Sequence, residues 1–273
     1  MGAGRAALRA GVERWRAAAG GRCATCRAWC AGTLCACCSA SFAGPRPRCR
    51  ACGMPWPGSD AAEPEALARG AAMPEPPPSS LAACAPGSAT AVAARCPRCP
   101  VEPLAWSRVV AGVDYGHPWD RLLAEFKFHG RLEHARVLLQ PLQARLREDA
   151  HALPAGLRVL PVPLARERLR ERGYNQAWEL ARRLARGLGL EARADALFRV
   201  RDTGHQLGLP RAARRANLRA AFVVAPRHAD WVRGARLALV DDVMTTGATA
   251  DAAARAMRAA GAAEVRVWVA ARA

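Results

Sequence analysis

The residues with the clearest chemical potential lie in one stretch near the C-terminus, RLALVDDVMTTGATADAAARAM. An apolar segment delivers two carboxylates, Asp241 and Asp242, and the small loop TTGAT follows and leads into a helical pattern. Gly247 lets the backbone approach an anion closely, and the threonine hydroxyls and free N–H groups of the helix start supply donors. Since a helix N-terminus also carries partial positive charge, the loop predicts a phosphate site. The carboxylates beside it suit sugar hydroxyls or Mg²⁺, so the whole pattern predicts a site for ribose 5-phosphate.

A simpler interpretation is a β–α turn in which a threonine caps the helix and the two aspartates are surface residues. Two adjacent acids, three threonines and one glycine in a single turn exceed what a helix cap requires. The phosphate site is therefore the favoured interpretation.

Eleven cysteines form a second pattern, and all of them precede residue 100. Eight are arranged as the four C-x-x-C pairs Cys23/Cys26, Cys35/Cys38, Cys49/Cys52 and Cys96/Cys99. Two such turns complete a tetrahedral Zn²⁺ site. The short gaps predict one zinc bound by the first two pairs. A second zinc would be bound by the last two pairs, with residues 54–95 looped out between them. Crossed pairing, a disulfide framework and a redox C-x-x-C remain alternatives, and the cysteines outside the pairs are Cys30, Cys37 and Cys84.

The length, hydrophobic content and charge of the chain limit the classes of protein to which it can belong. With 273 residues, 51% of them hydrophobic, the chain can bury a sizeable core. Its net charge of +18 rests on arginine, because Lys127 is the only lysine. Such a charge favours binding of polyanions, or alternatively reflects a biased composition spread over solvated helix faces.

No apolar run approaches the roughly 18 residues that a membrane-spanning helix needs. In the N-terminal stretch MGAGRAALRAGVERWRAAAGG, charged residues interrupt any signal-peptide core. The sequence thus predicts a cytoplasmic protein whose thiols stay reduced. The alternative is a peripheral position at the inner face of the membrane, through a short basic amphipathic helix.

The elements that position these residues divide into a small cysteine-rich module and an α/β domain. Residues 1–20 are expected to be disordered or a short basic helix, residues 21–103 a zinc-binding module with a flexible insertion at 54–95, and residues 104–273 the larger domain. Periodicity predicts helices near 119–126, 131–148, 175–188 and 248–260. Strands are predicted at 157–163, at 237–240 ending in the acid pair, and at 265–270, with a hairpin of 197–200 and 220–224 around a basic loop. Strands alternating with helices indicate a mainly parallel sheet covered on both faces, with ligands at the strand C-termini.

The stretch around the acid pair resembles the signature of type I phosphoribosyltransferases, an apolar strand followed by two acids and a T-T-G-x-T loop. Three further blocks narrow the resemblance to the ComF family of competence-associated proteins: DYGHPWDRLLAEFKFHG, LPVPLARERLRERGYNQAWELARRL and LFRVRDTGHQLGLPRAARRANLRAAF. The resemblance implies the type I phosphoribosyltransferase fold, an α/β fold with a mainly parallel sheet flanked by helices, behind a small N-terminal double zinc ribbon.

The resemblance also implies roles for residues at matching positions. Asp241 and Asp242 would bind the ribose hydroxyls. The 5-phosphate would be held by Thr245, Thr246, Gly247, Ala248 and Thr249. The diphosphate would lie at the turn of Pro161, Val162 and Pro163. The place of the family's mobile catalytic loop is taken by Arg201, Thr203, Gln206, Arg211, Arg214 and Asn217.

Two further positions near these blocks are candidates for the site. Lys127 is a candidate contact to the same anion, its alternative being a lysine on a solvated helix face. Arg172 and Asn175 belong to a polar cluster at a helix start, where ligand binding is favoured over capping. No residue stands out as a general base, and the histidines expected to be solvated are His129, His134 and His205.

The mechanism implied by the resemblance is displacement of pyrophosphate from C1 of phosphoribosyl pyrophosphate (PRPP) through an oxocarbenium-like state, with Mg²⁺ and arginines neutralising the leaving group. The family implies a role in DNA uptake or in the use of imported DNA, with single-stranded DNA and the uptake machinery as partners. The alternative is a non-catalytic protein that handles single-stranded DNA or senses PRPP. The residues do not identify an acceptor substrate.

Overall fold

The computed structural model describes residues 20–56, 96–97, 99, 103–149, 153–200 and 221–273. The strands are β1 (Gly21–Arg22), β2 (Trp29–Cys30), β3 (Arg108–Asp114), β4 (Leu157–Pro161), β5 (Glu191–Ala192), β6 (Leu197–Arg199), β7 (Phe222–Val224), β8 (Arg236–Met244) and β9 (Glu264–Arg272). The α-helices are α1 (Ala36–Ala43), α2 (Trp119–Phe128), α3 (His134–Glu148), α4 (Arg166–Arg172), α5 (Gln176–Leu188), α6 (Ala229–Val232) and α7 (Ala248–Ala259).

Five strands form one sheet in the order β3-β9-β8-β4-β5, and every neighbouring pair is parallel. Helices cover both faces, which is why the inner strands are almost continuously apolar. On one face α2, α3 and α5 pack over a core that includes Val240 and Trp268. On the other face α7 packs over Leu239 and Val267. The predicted fold class, a mainly parallel sheet flanked by helices with a small cysteine-rich module, is confirmed.

The central strand β8 is longer than the sequence indicates. The sequence predicts a strand at 237–240 that ends in the acid pair, whereas the strand continues past the acid pair to Met244. The ladder continues because Asp241, Val243 and Met244 pair with residues of β9 up to Arg272. The acid pair therefore lies within the hydrogen-bonded part of β8, on a rigid element. The loop begins only at Thr245.

The edge strand β3 is absent from the predicted strands because Gly112 interrupts its apolar run. A Cβ at Gly112 would lie 2.8 Å from the carbonyl oxygen of Ala270 and 3.1 Å from the backbone nitrogen of Leu142. The glycine is thus needed where α3 crosses close to the sheet, and it does not end the strand.

The remaining predicted elements agree with the structure to within a few residues. The helices expected at 119–126, 175–188 and 248–260 are α2, α5 and α7, whereas α3 begins at His134 rather than at residue 131. β6 and β7 form the expected antiparallel hairpin. The expectations for residues 1–19, for 57–95 and for the basic loop 201–220 lie outside the described residues. Among the residues that are described, no helix combines the length and hydropathy that a membrane crossing demands.

Candidate phosphate site and metal centres

The loop between β8 and α7 lies at the carboxyl edge of the parallel sheet, where ligands of such folds usually bind. Gly247 is the residue preceding α7 and adopts a φ of 79°. The hydroxyl of Thr246 accepts a hydrogen bond from the Ala248 N–H at 3.3 Å. Thr245 and Thr246 are exposed, so their side chains and the N–H groups of the helix start are accessible to an anion.

Gly247 is fixed by its packing as well as by its backbone. A Cβ at this position would lie 3.1 Å from Cη2 of Trp106 and 3.3 Å from Cε of Met244. The loop is therefore pressed against an indole ring, and a side chain at residue 247 would have to displace it. These contacts explain why a glycine is needed here, and close approach of an anion to Gly247 stays a prediction.

Asp242 is only 3% exposed and has a cationic partner. Lys127 Nζ, on α2, lies 3.1 Å from Asp242 Oδ2. The other carboxylate oxygen of Asp242 accepts the N–H of Val243 at 2.7 Å. Lys127 is therefore placed at the acid pair and is not a lysine on a solvated helix face.

Asp241 is more accessible than its neighbour, and its Oδ1 accepts the Asp242 N–H at 2.9 Å. Burial raises the pKa of Asp241 above its ordinary value, and the adjacent carboxylate of Asp242 raises it further. A cation or a set of hydroxyl donors at this carboxylate would stabilise its charged form and lower its pKa again. The arrangement suits a sugar diol or Mg²⁺ at Asp241.

The turn of Pro161, Val162 and Pro163 lies beside the acid pair, at the end of the neighbouring strand. The Val162 N–H donates to the carbonyl of Val240 at 2.8 Å, and all three residues of the turn are buried. Asn175 Nδ2 donates to the Val162 carbonyl at 3.1 Å. The turn is thus tied on one side to β8 and on the other to the start of α5.

The polar cluster before α5 has mainly protein partners. The Asn175 side chain caps α5, accepting the N–H groups of Ala177 and Trp178. The Tyr174 hydroxyl donates to the carbonyl of Phe126. The Arg172 guanidinium lies 4.9 Å from the centroid of the exposed Phe128 ring. Capping is what Asn175 does in this structure, and a direct ligand contact of Arg172 or Asn175 stays a prediction.

The candidate residues of the basic loop, from Arg201 to Asn217, lie outside the described residues. Of the histidines, His129 is exposed, whereas His134 Nε2 lies 2.7 Å from Glu125 Oε2 and is partly buried. The expectation that His134 is simply solvated was therefore wrong. Its side chain links α2 to α3 instead.

The eight paired cysteines assemble as two tetrads. The sulfurs of Cys23, Cys26, Cys35 and Cys38 lie within 4.8 Å of one another, as do those of Cys49, Cys52, Cys96 and Cys99. Sulfur separations such as 3.6 Å between Cys26 and Cys35 and 3.4 Å between Cys52 and Cys96 approach the ~3.8 Å expected for four Zn–S bonds of ~2.3 Å in a tetrahedron. The predicted grouping of the pairs is confirmed, and each tetrad can hold a metal ion.

Backbone donors prepare these thiols for a cation. Burial raises the pKa of Cys49, but N–H groups of Cys96, Cys52 and Ala51 lower it to about 7 overall. Burial also raises the pKa of Cys52, to about 11, and the sulfurs of Cys96 and Cys49 add to the effect. Four thiolates so close together repel one another, so a divalent ion is the group that lets all of them ionise. The donor set fits Zn²⁺.

The sequence analysis did not identify the structural role of two residues. Arg272, 9% exposed, joins the tetrad of Cys49, Cys52, Cys96 and Cys99 to the loop after β8, and Trp106 does the same from another side. The only sequence signal for Arg272 is a charged residue at the end of an otherwise apolar strand, which is weak.

No protein-family profile matches the chain. Individual relatives do: the chain is 35% identical to competence protein F of Haemophilus influenzae over 183 residues, which cover 66% of this chain and 80% of that protein. It is 38% identical to DNA utilization protein YhgH of Escherichia coli O157:H7 over 178 residues, which cover 63% of this chain and 75% of the relative.

Solved structures give a partial overlap. Glutamine phosphoribosylpyrophosphate amidotransferase from B. subtilis, complexed with ADP and GMP, aligns at 21% identity with a TM-score of 0.36. The overlap covers 54% of this chain and only 30% of that one. The match to competence protein F covers most of that protein's length, and it shows that this chain belongs to the ComF family.

Proposed function

We propose that this protein binds PRPP, or another phosphoribosyl compound, at the edge of the sheet formed by the acid pair and the loop after β8. The carrying observation is the juxtaposition of an exposed, hydroxyl-rich helix start with two carboxylates, one of which, Asp242, is held by Lys127 at 3.1 Å. The 5-phosphate would accept the N–H groups and hydroxyls of Thr245–Thr249, and Asp241 would accept hydrogen bonds from the ribose hydroxyls.

The resemblance of the sequence around Asp241 and Asp242 to the signature of type I phosphoribosyltransferases supports transfer of the phosphoribosyl group with release of pyrophosphate. The diphosphate would lie at the turn of Pro161, Val162 and Pro163, which the Val162–Val240 hydrogen bond holds next to the acid pair. Mg²⁺ bound with PRPP would supply charge neutralisation of the diphosphate, and Asp241, the more accessible carboxylate of the pair, fits such an ion. The chain's own part is to orient the sugar and to keep the two anionic groups apart.

Relatives named for competence and for DNA utilization support a role in the uptake or use of DNA. A second candidate, a non-catalytic protein that binds single-stranded DNA and senses PRPP, is favoured by the net charge of +18. It is also favoured by the exposed Phe128 ring beside Arg172, since aromatic rings flanked by arginine stack on bases.

Thermal unfolding with and without PRPP and Mg²⁺ tests the binding proposal. Saturating ligand should raise the melting temperature of the wild type, because it binds only the folded state. Asp241→Asn with Asp242→Asn should abolish the increase, whereas Asp230→Asn, whose side chain is 96% exposed, should keep it. A wild type whose melting temperature does not respond would contradict the proposal.

Catalysis and DNA binding need separate assays. Release of pyrophosphate from PRPP with candidate acceptors would identify an enzyme. Salt-dependent binding of single-stranded DNA by the double aspartate variant, without pyrophosphate release by the wild type, would favour the second candidate.

A further inference from the structure

The turn that carries Cys49 and Cys52 is in direct contact with the loop after β8. Arg272 Nε donates to the carbonyl of Cys52 at 2.8 Å, and its Nη1 donates to the carbonyl of Met244 at 3.0 Å and to that of Thr245. One buried guanidinium therefore joins a residue of the second tetrad to the first residue of the candidate phosphate loop.

Trp106 makes a second bridge between the same two segments. Its Nε1 donates to the carbonyl of Ala51, between the two cysteines, at 2.8 Å. The far edge of the same indole lies against Gly247, where a Cβ would be 3.1 Å from Cη2. The indole is only 7% exposed, so it cannot turn away without disturbing both neighbours.

The turn itself is seated tightly on the sheet. The Val109 N–H donates to the carbonyl of Arg50 at 2.7 Å. A Cβ at Gly53 would lie 2.8 Å from Cγ1 of Val109. The turn has only a small hydrophobic cluster of its own, which consists of Cys49, Cys52 and Cys96 with a few partly buried neighbours. A core this small depends on its metal for its shape.

The first tetrad provides an internal contrast. Its segment reaches the α/β domain through other residues: Trp119 Nε1 donates to the Phe42 carbonyl at 2.9 Å, and Thr33 Oγ1 donates to Gln140 at 2.8 Å. Among the hydrogen bonds of the described residues, none joins this segment to Thr245–Thr249.

We infer that metal binding at the tetrad of Cys49, Cys52, Cys96 and Cys99 orders the loop after β8, with Arg272 and Trp106 as the positioning residues. The metal fixes the Cys49–Gly53 turn, and the turn fixes the acceptors of the two bridging side chains. Without it, Arg272 and Trp106 lose defined partners, and the loop samples conformations that cannot hold a phosphate. If the competent loop is then present about a tenth of the time, ligand affinity falls about tenfold. The affinity part of this inference rests on the proposed function, whereas loop order does not.

Hydrogen–deuterium exchange of the full-length chain, without ligand, tests loop order directly. Cys99→Ser should remove one of two zinc ions and speed exchange of the amides at 244–250. Cys26→Ser, in the first tetrad, should also remove one zinc ion but leave exchange at 244–250 at the wild-type rate. Equal acceleration in both variants, or none in Cys99→Ser after loss of its zinc, would overturn the inference.

Loss of zinc in Cys99→Ser could unfold more of the protein than the Cys49–Gly53 turn. Arg272→Lys is a second variant that tests the bridge with both zinc sites intact. Lysine keeps the charge, but its single nitrogen cannot occupy both the Nε and the Nη1 positions from which Arg272 bonds the two segments. This variant should retain both zinc ions and still show faster exchange at 244–250, with about tenfold weaker binding of PRPP. Wild-type exchange in a fully metallated Arg272→Lys would contradict the inference. Absence of PRPP binding in the wild type would instead contradict the proposed function and leave the exchange result standing.

Discussion

Asp241 and Asp242 are neighbours in the chain but face different surroundings. Asp242 is buried and already holds Lys127 and the Val243 N–H. Asp241 is more accessible, but partial burial and the nearby Asp242 carboxylate destabilise its charged form and raise its pKa. We therefore expect Asp241 to contact the ligand and Asp242 to position Lys127 and the end of β8.

The raised pKa of Asp241 gives the unligated protein a pH dependence of known sign. The unfolded chain loses this proton near pH 4, whereas the folded protein holds it to higher pH. The contribution to stability is therefore greatest below about pH 4 and is lost as pH rises towards the raised value. Asp241→Asn should be more stable than the wild type at pH 8, by about 1 kcal/mol, and the gain should shrink towards pH 5.

Urea unfolding of the two proteins from pH 5 to pH 8 measures that difference. Asp230→Asn, whose side chain on α6 is exposed, is the matched control and should show no such trend. A destabilised Asp241→Asn at pH 8 would mean that the carboxylate serves the fold rather than the ligand.

The pair of Lys127 and Asp242 should behave as a unit. Lys127→Met leaves a buried carboxylate without its cation and should cost about 1–3 kcal/mol. Adding Asp242→Asn should recover most of that loss, since the stranded charge is removed. Free energies of unfolding for the two single variants and the double variant measure the coupling. Strict additivity of the two changes would show that the pair does not interact in solution.

At the scale of elements, the β8–α7 connection depends on one glycine. Gly247→Ala puts a Cβ against Trp106 and Met244 at a φ of 79°, so strain and crowding add. Gly189, with a φ of 68° and open space around its Cβ, is the matched control. Gly247→Ala should cost about 1 kcal/mol more stability than Gly189→Ala and should weaken PRPP binding, which Gly189→Ala should not do. Equal losses of stability with unchanged affinity in both would contradict the packing described for Gly247.

The sequence predicts most elements because their patterns are local. α5 and α7 follow from helical spacing of apolar residues, and the candidate site follows from residue types within one β–α connection. β3 is not predicted, because Gly112 breaks its apolar pattern. The glycine is needed there because the backbones of Leu142 and Ala270, distant in the sequence, lie too close for a side chain. The extension of β8 to Met244 escapes because it depends on pairing with β9, which no local pattern records.

At the scale of the whole molecule, the order of the C-x-x-C pairs predicts which pairs share a metal, because the first two pairs are close in the sequence and the last two are then left for each other. The position of the second tetrad beside the candidate phosphate loop cannot be predicted from the spacing of the cysteines. It depends on Arg272 and Trp106, which lie 220 and 55 positions from their partners in the Cys49–Gly53 turn.

The two tetrads predict a metal content of two zinc ions per chain. Cys38→Ser should reduce it to about one, whereas Cys37→Ser, exposed and outside both tetrads, should keep both. Chelation should lower the melting temperature of the wild type, because zinc binding supplies folding energy to so small a module. Metal analysis with thermal unfolding measures both effects. An equal loss of zinc in Cys37→Ser would mean that the ligand set is wrong.

The most direct test of the account is a crystal structure of the protein with PRPP and Mg²⁺. We predict the 5-phosphate within about 3 Å of backbone N–H groups in Thr245–Thr249, with the ribose hydroxyls at Asp241. Ligand bound at another surface, or an unoccupied loop at saturating PRPP, would contradict it.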